Sequence, residues 1–64
     1  MLNDIERLAV NTWPLCLTGR DWLSASWQFF GMYRLAMYKN DFEAAYTAEL
    51  IADLALQRRQ DAPR

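Results

Sequence analysis

Residues 22–38 read WLSASWQFFGMYRLAMY, and this stretch decides the fold. It carries six aromatic side chains, Trp22, Trp27, Phe29, Phe30, Tyr33 and Tyr38, and a single charge, Arg34. The lack of proline and the scarcity of β-branched side chains favour a helix over a strand. The period agrees. Trp22, Phe29, Tyr33 and Ala36 fall on one face with Ser26 between them. Leu23, Trp27, Phe30 and Met37 lie on one flank, and Ala25, Met32 and Ala36 on the other. Ser24, Gln28, Gly31, Leu35 and Lys39 gather on the remaining side. Strict alternation, the mark of a strand, is absent. The apolar face spans roughly half the circumference, against the ~100° stripe of an ordinary surface helix. Such a helix has to be covered from more than one direction.

A membrane does not supply that cover on this reading. A span needs about 20 apolar residues, and Gln28 and Arg34 interrupt this one. An interfacial helix would carry a basic polar face, whereas Arg34 and Lys39 are the only cations here. The cover therefore comes from elsewhere in a chain of 64 residues, which is one domain at most. Chains of this size usually need a staple or a partner. Cys16 is the single cysteine and there is no histidine, so an internal disulfide and a Cys/His zinc site are both excluded within one chain. A lone cysteine fits a reducing compartment. The N-terminus, with Asp4 and Glu6 and no long apolar run, does not read as a signal peptide, and the expected location is the cytoplasm. At 53% hydrophobic residues the chain is not disordered. Self-association is the remaining way to complete a core.

Outward from the central stretch, the flanking segments read as two more helices. Asn3 caps a first helix over about residues 4–11, with Glu6 completing a capping box. Ile5, Leu8 and Ala9 share its inner face, with Leu2 at its start. Pro14 disfavours helical geometry at Trp13 and ends this helix. Residues 13–20 form a connector, with one helical turn expected at Pro14. Leu15, Cys16 and Leu17 predict that the connector runs against the core, with Cys16 as a small buried apolar side chain. Thr18 or Asp21 caps the central helix, expected over about 21–39. Gly31 inside it predicts a close helix crossing rather than a kink, because no proline accompanies it. Asn40 with Glu43 repeats the Asn-x-x-Glu pattern of the N-terminus, and Asn or Asp here also suits the end of a helix. So short a link returns the next helix antiparallel. That helix, about 41–59, has a small-residue strip, Ala44, Ala45, Ala48, Ala52 and Ala55, with Ile51 beside it. Alanines opposite large rings let helix axes approach closely. Phe42, Tyr46, Leu50 and Leu54 make a second apolar strip that one hairpin cannot also hide. Arg58 and Arg59 suit the helix C-terminus, and residues 60–64 are expected to fray.

Chemistry is sparsely represented. Glu49 and Asp53 stand four residues apart and read as a solvated acidic edge. A di-metal bundle would add several glutamates and a Glu-x-x-His pair. No phosphate loop or nucleophile elbow occurs. The aromatics lack the basic groove of a nucleic-acid stacking platform. A third helix used as a DNA reader would need more than Arg58 and Arg59 at its end, and a net charge of −1 gives no electrostatic case for phosphate binding. The sequence therefore presents no catalytic residue, no cofactor site and no metal site.

Two resemblances follow. The run Tyr38-Lys39-Asn40-Asp41-Phe42-Glu43-Ala44-Ala45 resembles the inter-helix turn of a tetratricopeptide repeat, and Trp27-x-x-Phe30-Gly31 resembles the start of that repeat's first helix. About one extra helical turn separates the two parts here, and no second copy follows. In layout, a mildly acidic, histidine-free helical chain of this size resembles the small accessory proteins of temperate bacteriophages and mobile elements. That likeness implies action by binding a host or phage protein.

The expected fold is all-α: a short N-terminal helix on a long antiparallel hairpin, assembled as a homodimeric bundle. The expected function is a non-enzymatic protein-interaction or regulatory role. The expected contact residues are Trp27, Tyr38, Phe42, Tyr46, Glu49, Leu50, Asp53 and Leu54. A dimeric DNA-associated regulator and a metal- or ligand-binding bundle are the alternatives.

Overall fold

The computed structural model describes residues 3–62. They form three α-helices and no strand: α1 (Asp4–Thr12), α2 (Gly19–Tyr38) and α3 (Phe42–Asp61), with one 3-10 turn at Trp13–Leu15. The described residues measure 36 × 22 × 13 Å. None of their helices is long and apolar enough to cross a membrane.

Side-chain caps set where the helices begin. Asn3 and Glu6 form the expected box on α1: Glu6 N–H donates to Asn3 Oδ1 at 2.8 Å, and Asn3 N–H donates to Glu6 Oε1 at 3.4 Å. Thr18 opens α2, its hydroxyl accepting from Asp21 N–H at 3.3 Å. Asp21 occupies the third helical position and returns the bond. Its carboxylate accepts from Thr18 N–H at 3.1 Å and from Leu17 N–H at 2.9 Å. Of the two expected caps, Thr18 is the one used, so α2 begins two residues before the expected position 21.

The link between the long helices differs from the Asn40–Glu43 reading. Asn40 stands in the left-handed region, at φ 60°, and ends α2 instead of starting α3. Asp41 N–H reaches back to the Ala36 carbonyl at 2.9 Å and Asn40 N–H to Met37 at 3.1 Å, the two bonds of a Schellman ending. Asparagine tolerates this backbone through its short polar side chain. Asp41 then caps α3, accepting from Ala44 N–H at 3.2 Å. The helix continues to Asp61 with Arg58 and Arg59 in its last turn, so the fraying expected from residue 60 does not begin there. Residues 63 and 64, in the expected tail, and Leu2, expected at the start of α1, lie outside the described residues.

The core lies between the two long helices, which share the largest interface, and α1 closes one side of it. Phe29 is fully enclosed and shares a cluster with Ile51, Ala52 and Ala9. Ile5, Leu8, Trp13, Phe30 and Met32 pack around that cluster. Of the small-residue strip, Ala45, Ala48, Ala52 and Ala55 are buried and Ala44 is half-buried. On α2, Ala25, Ser26, Phe29 and Ala36 are buried, while Trp22 and Tyr33 are half-buried. Ser26 satisfies its hydroxyl locally by donating to the Leu23 carbonyl at 2.7 Å. This bond lets a polar side chain sit inside without the cost of an unpaired donor. A long-range bond ties α1 down: Asn3 Nδ2 donates to Thr47 Oγ1 at 3.4 Å, and Thr47 donates in turn to the Glu43 carbonyl.

Three expectations fail for local reasons. Gly31 is exposed, and a Cβ built on it meets no atom within 4 Å, so no helix crosses there. Pro14 ends α1 at Thr12, within a residue of the expected position, and the expected turn forms there, but Pro14 does not take Trp13 out of helical geometry. Trp13 keeps helical dihedrals, φ −60° and ψ −38°, and the chain tightens into the 3-10 turn. The connector does not run flat against the core either. Leu15 and Leu17 are 75% and 73% exposed, while Trp13 before them and Cys16 between them are half-buried. The ring of Trp13 meets Trp22 edge-on at 5.4 Å and 70°.

Candidate interaction surface

All eight residues expected at a contact surface are exposed. Six belong to α3. Phe42, Tyr46, Leu50 and Leu54 recur every fourth residue, the spacing that keeps side chains on one slowly turning stripe. Glu49 and Asp53, also four apart, accompany that stripe. The buried alanines of α3 occupy the opposite side, so the stripe faces outward. Trp27 and Tyr38 lie on α2, eleven residues and about three turns apart, on the side away from Phe29. Arg34 lies between them on the same side and is also exposed.

The structure therefore brings six of the eight onto one helix and leaves the other two on its neighbour. Periodicity alone does not reveal the full exposed set. Val10, Leu15, Leu17, Leu35 and Met37 also show more than two-fifths of their surface. For Leu15 and Leu17 a signal exists in the sequence. They stand between Pro14 and Gly19, where the chain lacks the period of an element that could bury them. Val10 and Leu35 follow from their positions on the outer sides of amphipathic helices.

Among the described residues the single thiol, Cys16, is the first group to consider for reactive chemistry. The Cys16 thiol is half-buried and lies 3.7 Å from the Thr12 carbonyl and 3.9 Å from that of Asp21. Burial first, and the negative charge of Asp21 second, push its pKa above the ordinary thiol value of 9.0. That direction is opposite to the lowered pKa of an activated thiol. The Asp21 carboxyl is held below the ordinary carboxylate value of 3.8, chiefly by the Leu17 and Thr18 N–H groups that donate to it. That shift belongs to a helix cap. Among the described residues no three His, Cys, Asp or Glu side chains gather where an ion could be held.

Two surface hollows accompany these features. A broad open one of about 820 Å³ lies at the end of the molecule remote from the α2–α3 link, lined by Gly19, Arg20, Leu23, Leu56, Arg59 and Gln60. A smaller one lies between Asn3–Ile5 and Asp41–Ala44, with Asp4, Asp41 and Glu43 on its walls. The indole Nε1 of Trp13 is buried without an acceptor, a cost of about 1–3 kcal/mol that the edge-on contact with Trp22 offsets in part. What distinguishes the surface is its apolar content together with the charges beside it. No family model, no curated protein and no solved structure matches the chain.

Proposed function

We propose that this chain is a small non-enzymatic interaction protein that acts by binding other proteins through the outward faces of its two long helices. The observation that carries this reading is the exposure of eleven large apolar side chains among the described residues of a 64-residue protein. Single exposed leucines are ordinary, but stripes of aromatic and aliphatic side chains along a helix are characteristic of contact surfaces. Phe42 and Tyr46 on α3 and Trp27 and Tyr38 on α2 belong to residue types that dominate binding energy when enclosed. In this reading α2 and α3 form an antiparallel hairpin that pairs with a second copy as a dimeric bundle. A further protein partner binds the surface that remains, in a regulatory role like that of the phage accessory proteins the layout resembles. Cytoplasmic location belongs to the same reading.

Affinity capture from host lysate tests it. The intact chain should retain a discrete set of proteins. A chain with Tyr46→Lys and Leu50→Lys should keep its helical circular dichroism and lose that set. Identical retention by both chains would contradict the proposal.

A further inference from the structure

The outer side of α2 carries a second pattern, one that the core does not use. Arg20, Ser24, Trp27, Gly31, Arg34 and Tyr38 follow one another at steps of four and three residues, the spacing of a seam between two helices. All six are exposed. Seven residues carry a helix almost twice round, so the six form two neighbouring lines. Arg20, Trp27 and Arg34 make one line, and Ser24, Gly31 and Tyr38 the other. The first line is large throughout, whereas the second has two small residues followed by a ring. A Cβ built on Gly31 meets nothing within 4 Å, so no contact inside the chain requires a glycine there. On its own it weakens the helix. What it supplies is a gap through which the backbone of a second helix can come close.

The occupant that fits this seam is a second copy of it. Consider a two-fold axis between two α2 helices, at right angles to both and to the line joining them. It reverses the helix direction, sets outer side against outer side, and keeps each of the two lines facing its own counterpart. With the axis beside Gly31, the glycines of the two copies meet. Ser24 and Tyr38 stand seven residues before and after Gly31, so the ring of each copy lies over the small side chain of the other. Trp27 stands four before and Arg34 three after, so the guanidinium of each copy comes to the indole of the other. Arg20, eleven before, comes level with the link of the other copy, where Asp41 stands ten after. Among the described residues neither Arg20 nor Arg34 makes an ion pair within the chain. Charge disfavours the other arrangements. Parallel α2 helices would set Arg20 and Arg34 beside their own counterparts. An antiparallel α3 pair centred on its outer stripe would bring Glu49 and Asp53 together.

We infer that the outer side of α2 is the contact of an antiparallel two-fold dimer of this chain, crossing at Gly31 with reciprocal Trp27–Arg34 and Tyr38–Ser24 contacts. The inference rests on the proposed self-association, adds its face and register, and leaves the α3 stripe free for the further partner. Sedimentation equilibrium on full-length chains tests it. Gly31→Gln fills the gap and should weaken dimerisation by about tenfold or more. In dilute solution, where single chains prevail, the same change should not lower helical circular dichroism, because glutamine is the better helix former. Tyr46→Lys with Leu50→Lys, on α3, should leave the dimer constant within about threefold of wild type. Trp27 and Arg34 stand about 10 Å apart along their own helix, too far for direct coupling within one chain. Trp27→Ala and Arg34→Ala should each weaken the dimer by about fivefold or more, and the double variant should lose no more than about threefold beyond the weaker single variant. A wild-type dimer unmoved by Gly31→Gln, or one lost in the α3 variant, would overturn the face and leave self-association standing. A wild-type chain that stays monomeric would overturn both. Losses from Trp27→Ala and Arg34→Ala that multiply in the double variant would overturn the register.

Discussion

On α3 the small side chains are inside and the large ones outside. Ala48, Ala52 and Ala55 have no exposed surface, whereas Phe42 and Tyr46 are 61% and 69% exposed. Burying more apolar area would favour the reverse, at about 25 cal/mol for each Å². Axis separation explains the inner face. Alanines let α3 come close enough to α2 for the Phe29 ring and the backbone of both helices to fill the space between them. The outer face is under no such restriction. Its large side chains stay exposed and contribute little to the packing of the single chain. The inner face is sensitive to side-chain volume, and the outer face is the one that a partner would cover under the proposed function.

The largest expected effect breaks the inner face. Ala48→Trp places a ring where there is no space, and urea unfolding should show a loss at or above the usual 1–3 kcal/mol, about that for an overpacked core. Tyr46→Ala, two residues away and outside, should change stability in dilute solution by no more than about 0.5 kcal/mol. Equal losses from the two would erase the distinction between the faces. Next comes the cap of the helix against which α3 packs. Thr18→Ala removes the hydroxyl that accepts from Asp21 N–H, and thermal unfolding should report a loss of about 1 kcal/mol. A gain of similar or smaller size is expected at an outer position of α2. Gly31 has a negative φ and open space where a Cβ would stand, so Gly31→Ala should stabilise by up to about 1 kcal/mol. A loss at this site would mean that something approaches it closely.

Acid provides the smallest and most local probe. The folded-state pKa of Asp21 is depressed, so its cap is fully stabilising above the unfolded carboxylate value and weakens as pH falls through the lower folded value. Urea midpoints taken from about pH 5 down to about pH 2 should fall less steeply in Asp21→Asn than in wild type. Parallel curves would show that the Leu17 and Thr18 N–H bonds do not depend on the charge.

Much of this was legible in the residues. The Asn3–Glu6 box and the alanine strip depend on short-range spacing, and the structure has both. The outward position of Phe42, Tyr46, Leu50 and Leu54 follows from the same period, because an α3 that buries its alanines must expose whatever lies opposite. Competing local options were less readable. Asn40 and Asp41 are both good cap residues, and only the backbone reversal, with Asn40 left-handed, assigns the cap to Asp41. A glycine inside a helix signals close approach only when another element passes beside it, and nothing within the chain passes Gly31. Leu15 and Leu17 read as core because they are leucines. Yet they stand between Pro14 and Gly19, outside any helix that could turn them inward, and both are exposed.

The mass of the chain in solution tests the central claim most directly. Light scattering across a dilution series from high to low micromolar concentration should give twice the 7.5 kDa chain mass, falling toward one chain mass as the sample is diluted. A single-chain mass at every concentration, with the helices fully formed, would show that the outer faces of α2 and α3 are stable in water without a second copy.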